Sequence, residues 1–240
     1  GRSEKKGETT LCIIPIGTSG EIRTIATMPD GVGAIKWSPC AKWIAFTSRT
    51  QDERYTKDDE SWMSPRKIET FVTRLNGEDF IFDRPEHVYV VACDGTVAPR
   101  NLTPGAHEHS SPAWLPDSSG VVTSAALHDG WDIDLASDLH IVKLNGDITT
   151  LTDRKGVYFQ PSVSPDGKRI AFLGHDDPLT SPQNVHVGVL DLATKQRQWV
   201  ATSRLKTARR QWWRPRSCWR IRPRRTWRKT CPSTRSCGQP

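Results

Sequence analysis

The sequence lacks the features that mark a membrane protein or a disulfide-rich secreted protein. Only six Cys and two Met occur among its 240 residues. No apolar run approaches the roughly 18 residues that a membrane-spanning helix requires. Residues 1–7 contain neither an initiator Met nor an apolar signal core. We therefore expect a cytoplasmic chain, outside the membrane, that starts within a longer reading frame and is a fragment of it.

Acidic residues are missing from the end of the chain. The last one is Asp191, whereas residues 204–240 hold eleven Arg, two Lys and four Trp. The net charge is +7 for the whole chain and +13 for this tail, which leaves residues 1–203 at −6. Two interpretations of the tail stay open. It is a coding sequence read out of frame, or it is a disordered basic tail that would bind RNA through Arg and Trp.

Residues 1–203 contain a repeated hairpin. Three segments, 37–46, 114–123 and 163–172, each have a large apolar residue, a turn that contains Pro, and a strand rich in β-branched residues. Pro presets φ for a turn, Asp can bind its own backbone, and Gly accepts positive φ. The turn residues singled out on this basis are Pro39, Pro116, Asp117, Pro165, Asp166 and Gly167.

A second marker, an apolar residue near Thr, has the same period. It occurs at Ile25, Leu102, Leu151 and Val200. Successive copies of this marker are 77, 49 and 49 residues apart. The repeated hairpins have the same spacing: the second lies 77 residues after the first, and the third lies 49 residues after the second. The pattern predicts repeat units at about 11–27, 34–103, 111–152 and 160–202, with an insertion at 51–85 that opens on a charged, solvated stretch.

Four strands in about 45 residues, repeated along the chain, are typical of propeller blades. The predicted fold is all-β: a partial β-propeller of about four blades, each a four-stranded antiparallel sheet, with a disordered basic tail. A β-sandwich with coincidental turns is the main alternative. A parallel α/β fold is disfavoured because no amphipathic helix is found between the strands.

One segment is more specific than the repeats. Residues 73–91 resemble the second-blade region of the prolyl oligopeptidase family, in its acylaminoacyl-peptidase and dipeptidyl-aminopeptidase branch. The residues that carry the likeness are Arg74, Gly77, Asp83, Arg84 and His87. The resemblance implies an N-terminal propeller that admits only short peptides to a C-terminal α/β-hydrolase domain with a Ser, Asp and His triad.

The chemistry of that hydrolase domain is missing from the sequence. An α/β-hydrolase nucleophile requires Gly-x-Ser-x-Gly, which does not occur. We therefore expect no catalytic residue and no cofactor.

Two further clusters leave alternatives open. His107 and His109 are either metal ligands or, as we favour, part of a polar loop. The aspartates form either a cation or amine site or, as we favour, a flexible solvated loop; they are Asp129, Asp132, Asp134 and Asp138. Cys12, Cys40 and Cys93 are expected to pack as small reduced hydrophobes.

The sequence thus predicts the non-catalytic, substrate-gating propeller of a serine peptidase that acts on short or N-blocked peptides. Its expected partners are an α/β-hydrolase domain and short peptides, with nucleic acid only if the tail is genuine. Two alternatives remain. One is a non-enzymatic propeller scaffold that binds protein or, through the tail, RNA. The other is the periplasmic propeller of an uptake system.

Overall fold

The computed structural model describes residues 8–16, 20–52, 65, 67–76 and 79–201. By contacts the chain divides into residues 1–205 and 206–240, and the second unit lies outside the described residues, as does Gly77. The described part contains β-strands and no helix, and therefore no helix that could cross a membrane.

Within the described residues, the strands form three four-stranded antiparallel sheets and two two-stranded ones. The first four-stranded sheet has the order β3-β4-β7-β8, the second β9 to β12, and the third β13 to β16, while β1 pairs with β2 and β5 with β6. The strands are β1 Thr9–Ile13, β2 Arg23–Met28, β3 Gly33–Trp37, β4 Trp43–Arg49, β5 Arg74–Leu75, β6 Asp79–Phe80, β7 Glu86–Ala92, β8 Arg100–Asn101, β9 His109–Trp114, β10 Gly120–Ala125, β11 Asp138–Lys143, β12 Ile148–Thr150, β13 Gly156–Val163, β14 Arg169–Asp176, β15 His186–Asp191 and β16 Arg197–Ala201. The predicted all-β partial propeller is confirmed.

Each sheet packs face to face against its neighbour, as propeller blades do. One apolar cluster joins the β1–β2 hairpin to the first four-stranded sheet, a second joins the first sheet to the second, and a third joins the second to the third. Side chains on a strand alternate between its two faces. Val121 therefore packs toward the first sheet and Val122 toward the third. Burial on both faces explains the continuous apolar runs in these strands.

The repeated hairpins share one backbone geometry. The amide of the residue before each Pro bonds the carbonyl five residues later, at 2.8 Å in the Ser164 hairpin and 2.9 Å in the Leu115 hairpin. The fourth residue of each turn is left-handed, with φ of 57° at Ala41, 61° at Ser118 and 69° at Gly167. Only the third hairpin has Gly where positive φ favours it.

Asp residues close two of these turns. Asp117 Oδ1 accepts from the amide of Ser119 at 3.0 Å, and Asp166 Oδ1 accepts from that of Lys168 at 3.1 Å. The first hairpin has Cys40 at this position. Its amide instead bonds Ser118 Oγ in the hairpin of the next sheet, at 3.1 Å.

In the first two four-stranded sheets, the second sequence marker follows the fourth strand and bonds the third. Leu102 and Leu151 are buried in the apolar clusters. The Thr that follows each of them turns back toward the third strand. Thr103 Oγ1 accepts from the amide of Val88, and Thr152 Oγ1 from that of Leu139, both at 3.0 Å. The Thr hydroxyl thus satisfies an amide where the last strand ends.

The cysteines do not all pack as expected. Cys12 and Cys40 are exposed, so the prediction that they are small core residues is wrong for both. Cys93 is half-buried against the first cluster. Cys40 lies outside the core because it belongs to the turn between β3 and β4 rather than to either strand.

Candidate functional site

Because neighbouring strands are antiparallel, the connections between them lie alternately at one end of the sheets and at the other. The connections β3–β4, β9–β10 and β13–β14, together with β7–β8, β11–β12 and β15–β16, lie at one end of the sheets. We call this end the hairpin face. The connections β4–β7, β10–β11 and β14–β15, together with the links between sheets, lie at the other end, which we call the long-connection face.

The predicted turn residues all lie at the hairpin face, where each turn is closed by local hydrogen bonds and the bond from the Cys40 amide to Ser118 Oγ joins two sheets. One of its residues has unusual chemistry that sequence reasoning missed. Hydrogen bonds from the hydroxyls of Ser118 and Ser38 lower the pKa of the exposed Cys40 thiol to about 7. The signal was the replacement of Asp by Cys at this turn position.

The segment that resembles the peptidases lies at the long-connection face. Arg74 is exposed on β5, with its guanidinium 5.6 Å from the centre of the Phe80 ring. Asp83 is buried, and its carbonyl accepts from the amide of Asp52 at 2.8 Å. These contacts tie the end of the insertion to the start of it.

Arg84 is the centre of a polar network. Its Nη1 is 2.5 Å from Asp30 Oδ2, and its Nε donates to the Phe80 carbonyl at 2.6 Å. The two side chains of this ion pair are only 12% and 9% exposed. Arg49 Nη1 donates to the Arg84 carbonyl at 3.1 Å and lies 2.5 Å from Glu108. The network joins the insertion to the β2–β3 turn and to the link between the first two sheets.

His87 has both ring nitrogens occupied. The amide nitrogen of Asn101 donates to Nδ1 at 3.0 Å, and Thr50 Oγ1 lies 2.7 Å from the same atom. Since Nδ1 accepts, Nε2 carries the proton and donates to the Gly105 carbonyl at 3.0 Å. Burial lowers the pKa of the His87 imidazole. His87 therefore stays neutral and holds backbone in place.

Two more histidines are buried beside it, between the first and second sheets. His109 Nδ1 is 3.1 Å from Thr123 Oγ1, and its ring centre is 6.3 Å from that of His140. Burial, together with the nearby His140, lowers the pKa of His109 to about 3. His140 donates from Nε2 to the Ala125 carbonyl at 3.2 Å, and burial lowers its pKa too.

His107 and His109, the two candidate metal ligands, contact different residues. The His107 ring stands edge-on to Trp131 at 5.7 Å, whereas His109 faces Thr123 and His140. Within the described ranges, no group of three His, Cys, Asp or Glu could hold a metal ion.

Three of the aspartates after β10 have hydrogen-bond partners within the chain. Asp134 lies 3.1 Å from His128 Nε2 and accepts from the amide of Ala136 at 2.8 Å. Asp132 accepts from the amide of Phe71 in the insertion at 2.7 Å. Asp138 is buried on β11, where its carboxylate accepts from Thr152 Oγ1 at 2.5 Å. The prediction of a flexible solvated loop is therefore wrong for Asp138.

The long-connection face exposes several large apolar side chains. Phe71, Ile133 and Leu179 are 86%, 81% and 82% exposed. They lie in the β4–β7, β10–β11 and β14–β15 connections respectively. Elsewhere, an open groove of about 370 Å³ separates the second and third sheets near Thr152, Lys195 and Arg197. Exposed apolar side chains also occur in the β1–β2 connection, where Ile16 is 97% exposed, but among the described residues only those of the long-connection face lie on corresponding connections of successive four-stranded sheets.

Solved structures with the same fold include peptidases. The chain aligns with an acylaminoacyl peptidase of Pyrococcus horikoshii at 12% identity and a TM-score of 0.53, over 75% of this chain and 26% of that one. A puromycin hydrolase aligns at 15% identity and a TM-score of 0.50, over 75% and 23%. TolB from Acinetobacter baumannii aligns at 18% identity and a TM-score of 0.41, over 80% and 48%.

The chain thus spans less than half the length of each of these proteins. No family model and no curated protein matches the sequence. At these identities the likeness establishes a fold, the β-propeller, and the aligned parts of the peptidases are their propeller domains.

Proposed function

We propose that this chain is the non-catalytic propeller part of a serine peptidase that acts on short or N-blocked peptides. The observation that carries the proposal is the likeness of its sheets to the propeller of an acylaminoacyl peptidase, at a TM-score of 0.53. The segment that includes Arg74, Arg84 and His87 supports the same family. The sequence contains no Gly-x-Ser-x-Gly, so the nucleophile would come from an α/β-hydrolase domain.

The role of the propeller in this proposal is to restrict access. A closed array of blades encloses a narrow channel along its axis. Here the first strands β3, β9 and β13 of successive sheets contact one another, which is the arrangement of strands that line such a channel. A channel of this kind would admit extended short peptides and reject folded proteins. The three described cysteines are unpaired, which suits the cytoplasm as the compartment.

The absence of catalysis is tested with a fluorophosphonate probe and an N-acetyl amino acid nitroanilide. The chain should remain unlabelled and should release no nitroaniline, while a serine hydrolase assayed in parallel does both. Stoichiometric labelling of any Ser would overturn the non-catalytic role.

The gating role is tested by binding. An N-acetylated tripeptide should bind the chain measurably by NMR line broadening, whereas a folded protein that carries the same three residues at its terminus should not. Equal binding of the two would contradict a gate. Absence of binding by both would favour the scaffold alternative, for which the exposed apolar residues of the long-connection face are the supporting observation.

A further inference from the structure

In each of the three four-stranded sheets, the connection between the second and third strands presents one large apolar side chain almost completely to solvent. These are Phe71, Ile133 and Leu179, each more than four-fifths exposed. Exposed hydrophobic residues on a soluble protein are ordinarily scattered singly, and a set of them on one face marks an interaction surface. None of the three belongs to the apolar clusters between the sheets.

Hydrogen bonds join the three connections into one surface. The amide of Phe71 donates to Asp132 Oδ2 at 2.7 Å, which links the first connection to the second. The amide of Leu135 donates to the Pro178 carbonyl at 3.2 Å, which links the second to the third. Further exposed apolar side chains on the same connections are Ile68, Val72, Leu75 and Leu135.

The charge of the middle connection indicates the chemistry of what binds there. Residues 126–137 contain Asp129, Asp132 and Asp134 and no Lys or Arg. Asp134 is partnered by His128, whereas Asp129 is exposed beside Ile133. Carboxylates next to apolar side chains repel anionic lipid surfaces and phosphates and attract cations. Apolar contact and negative charge together fit a segment that is both apolar and basic.

We propose that the long-connection face binds a segment of a separate partner protein in which apolar residues alternate with Lys or Arg. Phe71, Ile133 and Leu179 are its apolar contacts, and Asp129 and Asp132 face its basic side chains. This interaction does not depend on the peptidase assignment, because it uses side chains on the outside of the sheets rather than the channel.

The test uses a fluorescent amphipathic peptide of Leu and Lys, and the same peptide with Glu in place of Lys. Fluorescence anisotropy should show saturable binding of the Leu/Lys peptide, weaker as salt is raised, and much weaker binding of the Leu/Glu peptide. The triple variant Phe71→Ser, Ile133→Ser, Leu179→Ser should bind the Leu/Lys peptide about tenfold more weakly or worse. Its melting temperature should stay unchanged because these side chains contact solvent.

The matched control is Val97→Ser, which removes an apolar side chain that is 59% exposed in the β7–β8 hairpin, at the opposite face. It should leave binding unchanged. Asp129→Asn should weaken binding of the Leu/Lys peptide by a smaller factor and reduce its salt dependence. Full affinity in the triple variant, equal affinity for the two peptides, or binding to anionic vesicles that exceeds binding to the Leu/Lys peptide would overturn the proposal.

Discussion

The long-connection face differs from the hairpin face in having an ion pair between distant residues that is nearly buried. At the hairpin face, bonds such as that between Ser164 and Arg169 close within a few residues of sequence. At the long-connection face, the Arg84–Asp30 pair joins residues 54 apart in the sequence, and Arg49 and Glu108 are 59 apart. Local turns can be rebuilt with different residues, as Cys40 and Ala41 show. A buried ion pair between distant residues cannot be rebuilt in this way, because replacing one residue leaves the charge of the other buried and unpaired. Substitutions should therefore be more damaging at the long-connection face.

The largest effect is expected from Arg84→Met. Removing the guanidinium leaves the nearly buried Asp30 carboxylate without its ion pair, which should lower the free energy of unfolding by about 3 kcal/mol. Urea unfolding followed by tryptophan fluorescence measures the change. The control is Lys155→Met, which breaks the exposed Lys155–Asp153 pair and should change the free energy by less than about 0.5 kcal/mol. Both pairs lie at the long-connection face, so equal losses in the two variants would show that burial of the Arg84–Asp30 pair does not set its contribution.

The second largest effect is expected from acid, which should lower the free energy of unfolding through three buried histidines near the long-connection face. Burial lowers the pKa of His87, His109 and His140 in the folded chain, to about 3 for His109. The imidazole of an unfolded chain has a pKa of about 6.5, so below that pH the unfolded chain binds more protons than the folded chain. The stabilisation is complete above that pH and is lost as pH falls toward 3. His109 alone contributes a slope of about 1.4 kcal/mol per pH unit within this window.

Melting temperatures between about pH 7.5 and pH 5 test this slope. His109→Gln keeps a hydrogen-bonding side chain but does not titrate, so its melting temperature should depend less on pH. Val97→Ser, which alters no titratable group, should keep the slope of the original chain. An unchanged slope in His109→Gln would show that this imidazole is not responsible.

Loss of a Thr hydroxyl at the end of a sheet should have an intermediate effect. Thr103→Val leaves the buried amide of Val88 without its acceptor, and Thr152→Val does the same to Leu139. Each should lower the free energy of unfolding by about 1.5 kcal/mol. Thr149→Val, at an exposed position of β12, is the control and should change it by less than about 0.5 kcal/mol. Hydrogen exchange should also become faster at the two amides, and failure of this would count against the assigned bonds.

The smallest effect is expected at the hairpin face. Ala41 has a φ of 57°, which glycine adopts with less strain, so Ala41→Gly should stabilise the chain by about 0.5 kcal/mol. Gly167→Ala makes the reverse change at the same turn position and should destabilise by about 1 kcal/mol. A Cβ there would lie 3.6 Å from Pro116, an ordinary contact, so the effect comes from the backbone alone. Thermal melts of both variants measure the difference, and changes of the same sign would contradict it.

Much of the fold was predictable because its determinants are local. Turn residues such as Pro165, Asp166 and Gly167 act within their own hairpin, and strands buried on both faces have continuous apolar sequences. Repetition then indicated blades, since a unit that recurs with one period along the chain packs against copies of itself. The resemblance over residues 73–91 could be seen in the same way, from residues that are close in sequence.

The sequence by itself therefore determined the class of fold, the strand pattern and the chemistry of the turns. Tertiary structure alone decided which distant polar groups meet. It brought His109 to His140, paired Arg84 with Asp30, buried Asp138 on a strand and left Cys40 in solvent. It also decided that Phe71, Ile133 and Leu179 share one face. Pattern cannot show these outcomes, because burial and partnership depend on how separate sheets pack, and packing is a property of residues far apart in the chain.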